Sequence, residues 1–428
     1  MLYSDILTEE LLLCAVAARI GSENFTVEEK SVKVASEDAI GFTCAHVRIF
    51  VTAGVEGNCE NNSRRVQFHF FAKVMPNFPL LDDRKSYTVQ AFQREADFFS
   101  KILPKLQRGV TCTCECYVAN RQVLVLDDLS VLGFRTMDSR QLFDYDHCET
   151  ILRTLAYFHA TSIIYEEKQG SRGYIQQKWS TEINQDFELS KVDSLIDGWM
   201  VAGVEVIATL AEQVWPGEEG ADIARRIRGK RREICHRFLK LRKPSAVHRN
   251  VVCHGDFWAS NVMVKYDASG KPESARLIDF QLVRYAPPVF DVMTILLLST
   301  DQDFRDRHLH SLQQVYFSTL SAQIANDGLD AERCYTLTEL IESWHDMAAD
   351  LSIIAAILQP QVLMDSRRLR LLMANRESYD RFLYIDRRRE ALEEFSADAF
   401  YRARVTEAVK EFVILNYEWI HGETTKNS

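Results

Sequence analysis

The chain lacks net positive charge. Its 51 Lys and Arg stand against 61 Asp and Glu, a formal charge of −10, so nothing draws it as a whole to nucleic acid, which is not expected as a partner. Cysteine is sparse too. Ten in 428 residues, with no pair of C-x-x-C elements at zinc-like spacing, exclude a disulfide scaffold and favour a reducing, cytoplasmic setting. Cys112, Cys114 and Cys116 alternate, a spacing that sets them on one face of a strand, where free cysteine packs as a small apolar residue. Long apolar runs are missing: the stretch at residues 295–298 is far short of the ~20 residues of a membrane span. Residues 11–20 follow Glu9 and Glu10 without a basic n-region and read as an amphipathic helix, not a signal core. No tandem repeat or low-complexity linker is present. What remains is an average soluble composition, 46% hydrophobic and 26% charged, in a chain longer than one core usually spans. Two lobes or domains are expected.

Residues 30–75 alternate like strands, with Val47, Ile49 and Val51 in one run and Val66, Phe68, Phe70 and Ala72 in another. Turn-rich residues 54–63 separate them, which predicts antiparallel hairpins. The second run is apolar at even positions, so Lys73 projects from the opposite face. Residues 88–103 read as a helix, with Val89, Phe92, Ala96, Phe99 and Leu103 at helical spacing and Pro104 as its end. Glu95 borders that stripe, and Lys73 is its obvious cation in a strand-then-helix unit. A strand over residues 122–126 leads to Asp127, Asp128 and a Ser-Val-Leu-Gly segment that links two lobes. From Asp144 the chain is chiefly helical. Leu152, Leu155, Phe158 and His159 mark one helix, and residues 194–242 supply two more. The basic run from Arg225 to Arg232, with Glu218, Glu219 and Glu233 nearby, reads as a solvated helix face.

The informative segment is V-V-C-H-G-D-F-W-A-S-N-V-M-V-K-Y-D, residues 251–267, followed by A-R-L-I-D-F-Q, residues 275–281. Two strand-like runs flank Ser269-Gly270 and should pair as a hairpin. Centred on Gly270, that hairpin sets Asn261 opposite Asp279 at its open end. An amide oxygen and a carboxylate suit Mg2+, a hard cation that takes one or two protein oxygens alongside water and substrate phosphates. Asp256 precedes Asn261 by five positions, the spacing of the kinase catalytic loop, in which the Asp accepts the substrate hydroxyl proton. From the chain's own composition, H-G-D-x-x-x-x-N arises by accident in roughly one such chain in a thousand.

At these residues the chain resembles phosphotransferases of the choline kinase and aminoglycoside phosphotransferase type, relatives of protein kinases, and more closely the ecdysteroid kinase-like family. The resemblance rests on H-G-D-F-W-A-S-N, I-D-F-Q, F-A-K-V-M-P around Lys73 and F-Q-R-E-A-D-F-F with Glu95. V-L-V-L-D-D-L-S-V-L-G-F (residues 123–134) and L-A-Y-F-H-A-T-S (residues 155–162) extend it over most of the chain. It implies an α+β, bilobal protein kinase-like fold. Residues 1–127 would form a small antiparallel-sheet N-lobe that binds nucleotide, and residues 128–428 a large, mainly helical C-lobe with the catalytic loop, metal site and acceptor region. It also implies that Lys73 holds the ATP phosphates with Glu95 orienting it, and that Leu126 and Asp128 in the connector lie beside the nucleotide. Asp256 would be the base, Asn261 and Asp279 the Mg2+ ligands, and His254 and Trp258 would shape the loop. One feature departs from the pattern: between Val34 and Val47 stands a single glycine, Gly41, in A-S-E-D-A-I-G-F-T-C-A-H, instead of G-x-G-x-x-G. Gly41, Phe42 and Thr43 are assigned to ATP through backbone amides.

The implied cofactors are ATP and Mg2+. The implied acceptor is a small-molecule alcohol, either an ecdysteroid or a lipophilic foreign alcohol or phenol phosphorylated in detoxification. Residues 347–363, rich in Ala, Ile and Leu, together with Trp199, Trp215 and Trp344, either line an apolar acceptor pocket or form lobe core. Two readings compete with this one. A choline or aminoglycoside kinase needs an acidic or aromatic cage for a cation, and a catalytically weak ATP-binding module is motivated by the reduced glycine loop. A protein kinase is disfavoured, because Pro287, Pro288 and Asp291 follow Asp279 where an activation segment and A-P-E would stand.

Overall fold

The computed structural model describes residues 6–35, 44–56, 63–75, 84–106, 112–183 and 195–422. The chain divides into two compact units, residues 1–136 with 262–283, and residues 137–261 with 284–428. Each is discontinuous, unlike the two continuous segments expected to meet after residue 127.

In the first unit, helix α1 (Glu9–Ile20) is capped by Thr8, whose side chain accepts from Leu11 N–H, and ends at Gly21. Strands β1 (Phe25–Val34), β2 (Ala45–Glu56), β3 (Ser63–Val74), β4 (Cys116–Ala119) and β5 (Val123–Asp127) form one antiparallel sheet in the order β1-β2-β3-β5-β4. Alternation decides its two faces. Val47, Ile49 and Val51 of β2, Phe68, Phe70 and Ala72 of β3, and Val123 and Val125 of β5 pack with Leu12, Ala15 and Val16 of α1 in one core. Each of the Val, Leu, Ile and Phe side chains among these stabilises the unit by about 1.5–3 kcal/mol when fully buried. The register sets Lys73 between His46 of β2 and Leu124 of β5, on the face away from α1.

Helix α2 (Arg84–Asp97) continues into a π turn, Phe98–Ile102, and a last short turn, Leu103–Leu106. Pro104 therefore lies inside that last turn and does not end the helix. In the π turn Leu103 N–H donates to Phe98 O, five residues back, so the hydrogen-bond register has slipped before Pro104, which has no N–H to give.

The hairpin after Asn261 pairs Val262–Tyr266 with Pro272–Leu277, and Arg135–Thr136 adds a third strand. Val262 faces Leu277 and Val264 faces Ala275, one residue away from a register centred on Gly270. The turn sets this register. Asp267 N–H donates to Lys271 O at 2.9 Å, Lys271 N–H returns to Asp267 Oδ1 at 3.0 Å, and a bulge falls between Lys265 and Tyr266. Asn261 sits in the 3-10 turn Ala259–Asn261 and Asp279 beyond Leu277, so the ladder does not pair them. That corrects the expected facing pair.

The second unit is mainly helical. Helix Val289–Ser299 is buried along its whole length and packs on Leu337–Val362. Its C-terminal carbonyls are satisfied by side chains: Arg305 and Arg404 donate to Thr300 O at 2.8 and 2.6 Å, and Gln359 to Leu297 O at 2.8 Å. Residues 195–241 make three helices where two are expected, Leu195–Val214, Glu218–Gly229 and Arg231–Leu241. Pro216-Gly217 and Gly229 are the breaks. The basic run is a paired helix face: Arg226 meets Asp222 at 2.6 Å, and Arg228 meets Glu205 and Glu212 at 3.1 and 2.8 Å. Residues 351–357 are buried in the helical core, and a Cβ on Gly203 would come within 2.8 Å of Ile357 Cγ2. This apolar stretch is therefore lobe core. Among the described residues no single helix is long and apolar enough to cross a membrane.

Candidate active site

In the first unit the strand alternation that excludes Lys73 from the core delivers it to Glu95. Lys73 Nζ donates to Glu95 Oε1 and Oε2 at 2.9 and 2.8 Å and to Asp279 Oδ1 at 2.6 Å. The Lys73 and Glu95 side chains are 8% and 3% exposed, that of Asp279 30%, so two members are sealed and the third opens outward. Burial alone lowers the ammonium's pKa, but Asp279 and Glu95 more than offset it, so Lys73 is raised and stays a cation. Glu95 is raised by burial and by the Asp279 charge, against the pull of Lys73. One ammonium facing two carboxylates leaves an excess negative charge when both are ionised.

Helix α2 fixes Glu95, and Glu95 in turn accepts Phe280 N–H at 3.1 Å, next to Asp279. The Phe280 ring stacks on Phe98 of the π turn, with centroids 4.3 Å apart. Asp279 itself has φ 68°, the one non-glycine in left-handed backbone among the described residues. That conformation, tolerable for Asp, turns its carboxylate out of the strand direction towards Lys73. His46, across from Lys73, is pushed down to about 4 by burial and by the neighbouring ammonium, and is therefore neutral at pH 7.

Leu126 is buried in β5. Asp128 is buried too, and its carboxylate is taken up locally: Arg48 Nε approaches at 3.1 Å and Ser130 N–H donates at 3.1 Å. It ties the turn after β5 to β2. Cys112 and Cys114 are buried free thiols, each pushed up to about 12 by burial, and Cys116 is half-buried and also raised, as expected of packing residues. Gly41, Phe42 and Thr43 lie outside the described residues.

In the second unit Asn261 Nδ2 donates to Asp256 O at 2.7 Å and Asp256 Oδ2 at 3.1 Å. The five-residue spacing closes the loop on itself, and with its nitrogen turned inward, Asn261 presents its carbonyl oxygen as the remaining donor atom. An amide oxygen such as that of Asn261 and a carboxylate such as that of Asp279 are each, taken singly, of the hard type that Mg2+ accepts. Gly255, at φ 81°, gives the turn a backbone that a side chain would strain. His254 Nδ1 accepts Asp256 N–H at 3.3 Å, so the His254 ring braces the loop, and the Trp258 backbone carbonyl accepts Asn261 N–H at 2.9 Å.

The loop hangs on Asp291, which accepts His254 N–H at 2.5 Å, Gly255 N–H at 3.0 Å and His159 Nε2 at 3.1 Å. Despite full burial these donors hold its carboxyl below the usual carboxylate range. Sequence reasoning passed over this role. The signal was present: Asp291 is the only charge in V-F-D-V-M-T-I-L-L-L-S, and a lone carboxylate in an apolar helix must find buried donors.

The sequence matches the ecdysteroid kinase-like family over residues 46–327, about two thirds of its length, a span that contains Lys73, Glu95, Asp256, Asn261, Asp279 and Asp291. The chain belongs to the ecdysteroid kinase-like family. It is thereby a phosphotransferase that acts on small-molecule hydroxyl groups. No curated protein matches this family member. Among solved structures it is similar to an ethanolamine kinase from Plasmodium vivax, at a TM-score of 0.36 and 11% identity, covering 93% of this chain and 91% of that one. A choline/ethanolamine kinase family protein from Mesorhizobium loti aligns at a TM-score of 0.35 and 13% identity, covering 89% and 92%.

Proposed function

We propose that this family member is an ATP-dependent kinase that transfers the γ-phosphate to a hydroxyl of a lipophilic acceptor, an ecdysteroid or a foreign alcohol or phenol. The Lys73 ammonium, held between Glu95 and Asp279, is the observation that carries the reading. A buried lysine kept charged by carboxylates suits the holding of phosphate oxygens, with Glu95 as its orienting partner. Asp256 accepts the proton of the attacking hydroxyl, while Asn261 fixes its carboxylate. Asn261 and Asp279 are the residues that would hold Mg2+, which when bound neutralises phosphate charge. On this reading the sheet-bearing unit serves the nucleotide and the helical unit serves the acceptor, within the cytoplasm. Phosphoryl transfer is mainly positioning and charge stabilisation, and the chain carries each residue type that it needs.

The test is incubation of the purified chain with Mg·[γ-32P]ATP and a panel of sterols, phenols, choline and aminoglycosides. Label on at least one lipophilic alcohol is expected. Turnover confined to choline or aminoglycosides would replace the acceptor class, and ATP binding without transfer to any compound would make the chain a binding module.

A further inference from the structure

Behind the catalytic loop, Tyr316 and His159 extend the Asp291 anchor inward, and all three side chains are fully buried. The Tyr316 hydroxyl lies 2.7 Å from His159 Nδ1, and His159 Nε2 lies 3.1 Å from Asp291 Oδ2. Burial keeps the Tyr316 phenol protonated, and a buried hydroxyl must give its proton to an acceptor. Among the described residues His159 Nδ1 is the acceptor within hydrogen-bond distance. Nδ1 therefore accepts, the imidazole proton sits on Nε2, and Nε2–H points at Asp291. The ring cannot turn without breaking two buried hydrogen bonds. Asp291 Oδ2 is shared between that imidazole and His254 N–H, so the angle of the ring sets the carboxylate that holds the loop.

We propose that Tyr316 is a positioning residue for the catalytic loop, acting through His159 and Asp291 on the backbone from which Asp256 projects. Its catalytic consequence rests on Asp256 being the base of the proposed reaction. Its structural consequence does not.

The test uses the full chain with 15N-labelled histidine, as wild type and as Tyr316→Phe, which keeps the ring in its edge-on contact with His159, centroids 5.9 Å apart. In wild type the His159 resonances should report a neutral ring with the proton on Nε2. An imidazolium, or a proton on Nδ1, overturns the proposal whether or not the variant folds. In Tyr316→Phe the Nδ1 resonance should move, and hydrogen exchange at the His254 and Gly255 amides should speed up about tenfold, the factor for one buried hydrogen bond. With an accepted alcohol, kcat should fall by about as much while KM for ATP stays unchanged, a split that general loosening of the fold would not give. Exchange and kcat both unchanged overturn the proposal. Faster exchange in a chain that transfers no phosphate supports the positioning role and counts against the kinase reading instead.

Discussion

Lys73 Nζ donates to Asp279 Oδ1 at 2.6 Å across 206 positions of sequence, while also holding Glu95. The hairpin that carries Asp279 is thus joined to the main sheet of its own unit by a buried charge. Removing that charge is costlier than the worth of the pair, because Glu95 stays behind without its cation.

Lys73→Met should accordingly destabilise the chain by about 3 kcal/mol at neutral pH, read by urea denaturation. The deficit should shrink on acidification. Glu95 is raised above its ordinary 4.5 by burial, so the folded variant binds the proton before the unfolded chain does, and stability recovers as pH falls towards 4.5. A deficit that stays constant from neutral pH to pH ~5 would show that Glu95 has found another cation.

Asp279→Ala and Asp256→Asn should separate binding from transfer. On the proposed function Asp279→Ala removes an oxygen ligand, so the rise in melting temperature produced by Mg·ATP should disappear. On the same proposal Asp256→Asn removes a base and no phosphate contact, so the rise should persist while turnover of an accepted alcohol falls by at least about a hundredfold. Turnover within tenfold of wild type in Asp256→Asn would remove Asp256 from the role of base.

The Lys73 and Glu95 pair was legible in sequence because strand alternation excludes Lys73 from the core face and helical spacing brings Glu95 to the edge of an apolar stripe. Asp256 and Asn261 were legible because their contact is local, set by five residues of loop. The register that was expected to set Asp279 opposite Asn261 was not legible: the turn at residues 267–271 and the bulge at Lys265 shift it by one residue, and composition does not encode a bulge. Residues 347–363 read in sequence as core or, less strongly, as pocket, because both use the same side chains. Only tertiary packing, such as Gly203 against Ile357, separates the two.

Thiol chemistry gives a check on the first unit. Cys14 is exposed, whereas Cys112 and Cys114 are buried and pushed up to about 12. Alkylation of the native chain at pH ~8 followed by peptide mass spectrometry should label Cys14 early and leave Cys112 and Cys114 unlabelled until urea is added. Early labelling of Cys112 or Cys114 would contradict the packing described.

His46 supplies the last test. It faces Lys73 across the β2–β3 pair, with Cys44 Sγ 3.4 Å from its Nε2, and burial and Lys73 depress it to about 4 while Asp279 pulls weakly the other way. A histidine depressed in the folded state stabilises fully above the unfolded value near 6.5, because there neither state is protonated. As pH falls below that value the unfolded chain takes up the proton first, and stability drains away until the folded group titrates near 4. The loss from this one residue should reach about 2 kcal/mol by pH 5. Asp291, also depressed, starts to cost stability only below the ordinary carboxylate value of 3.8, outside this window. His46→Gln should therefore flatten the melting-temperature profile between pH 6.5 and 5 relative to wild type and leave it parallel above pH 7, to about the precision of such melts. Parallel profiles through the whole range would mean that His46 titrates normally and that the Lys73 charge does not reach it.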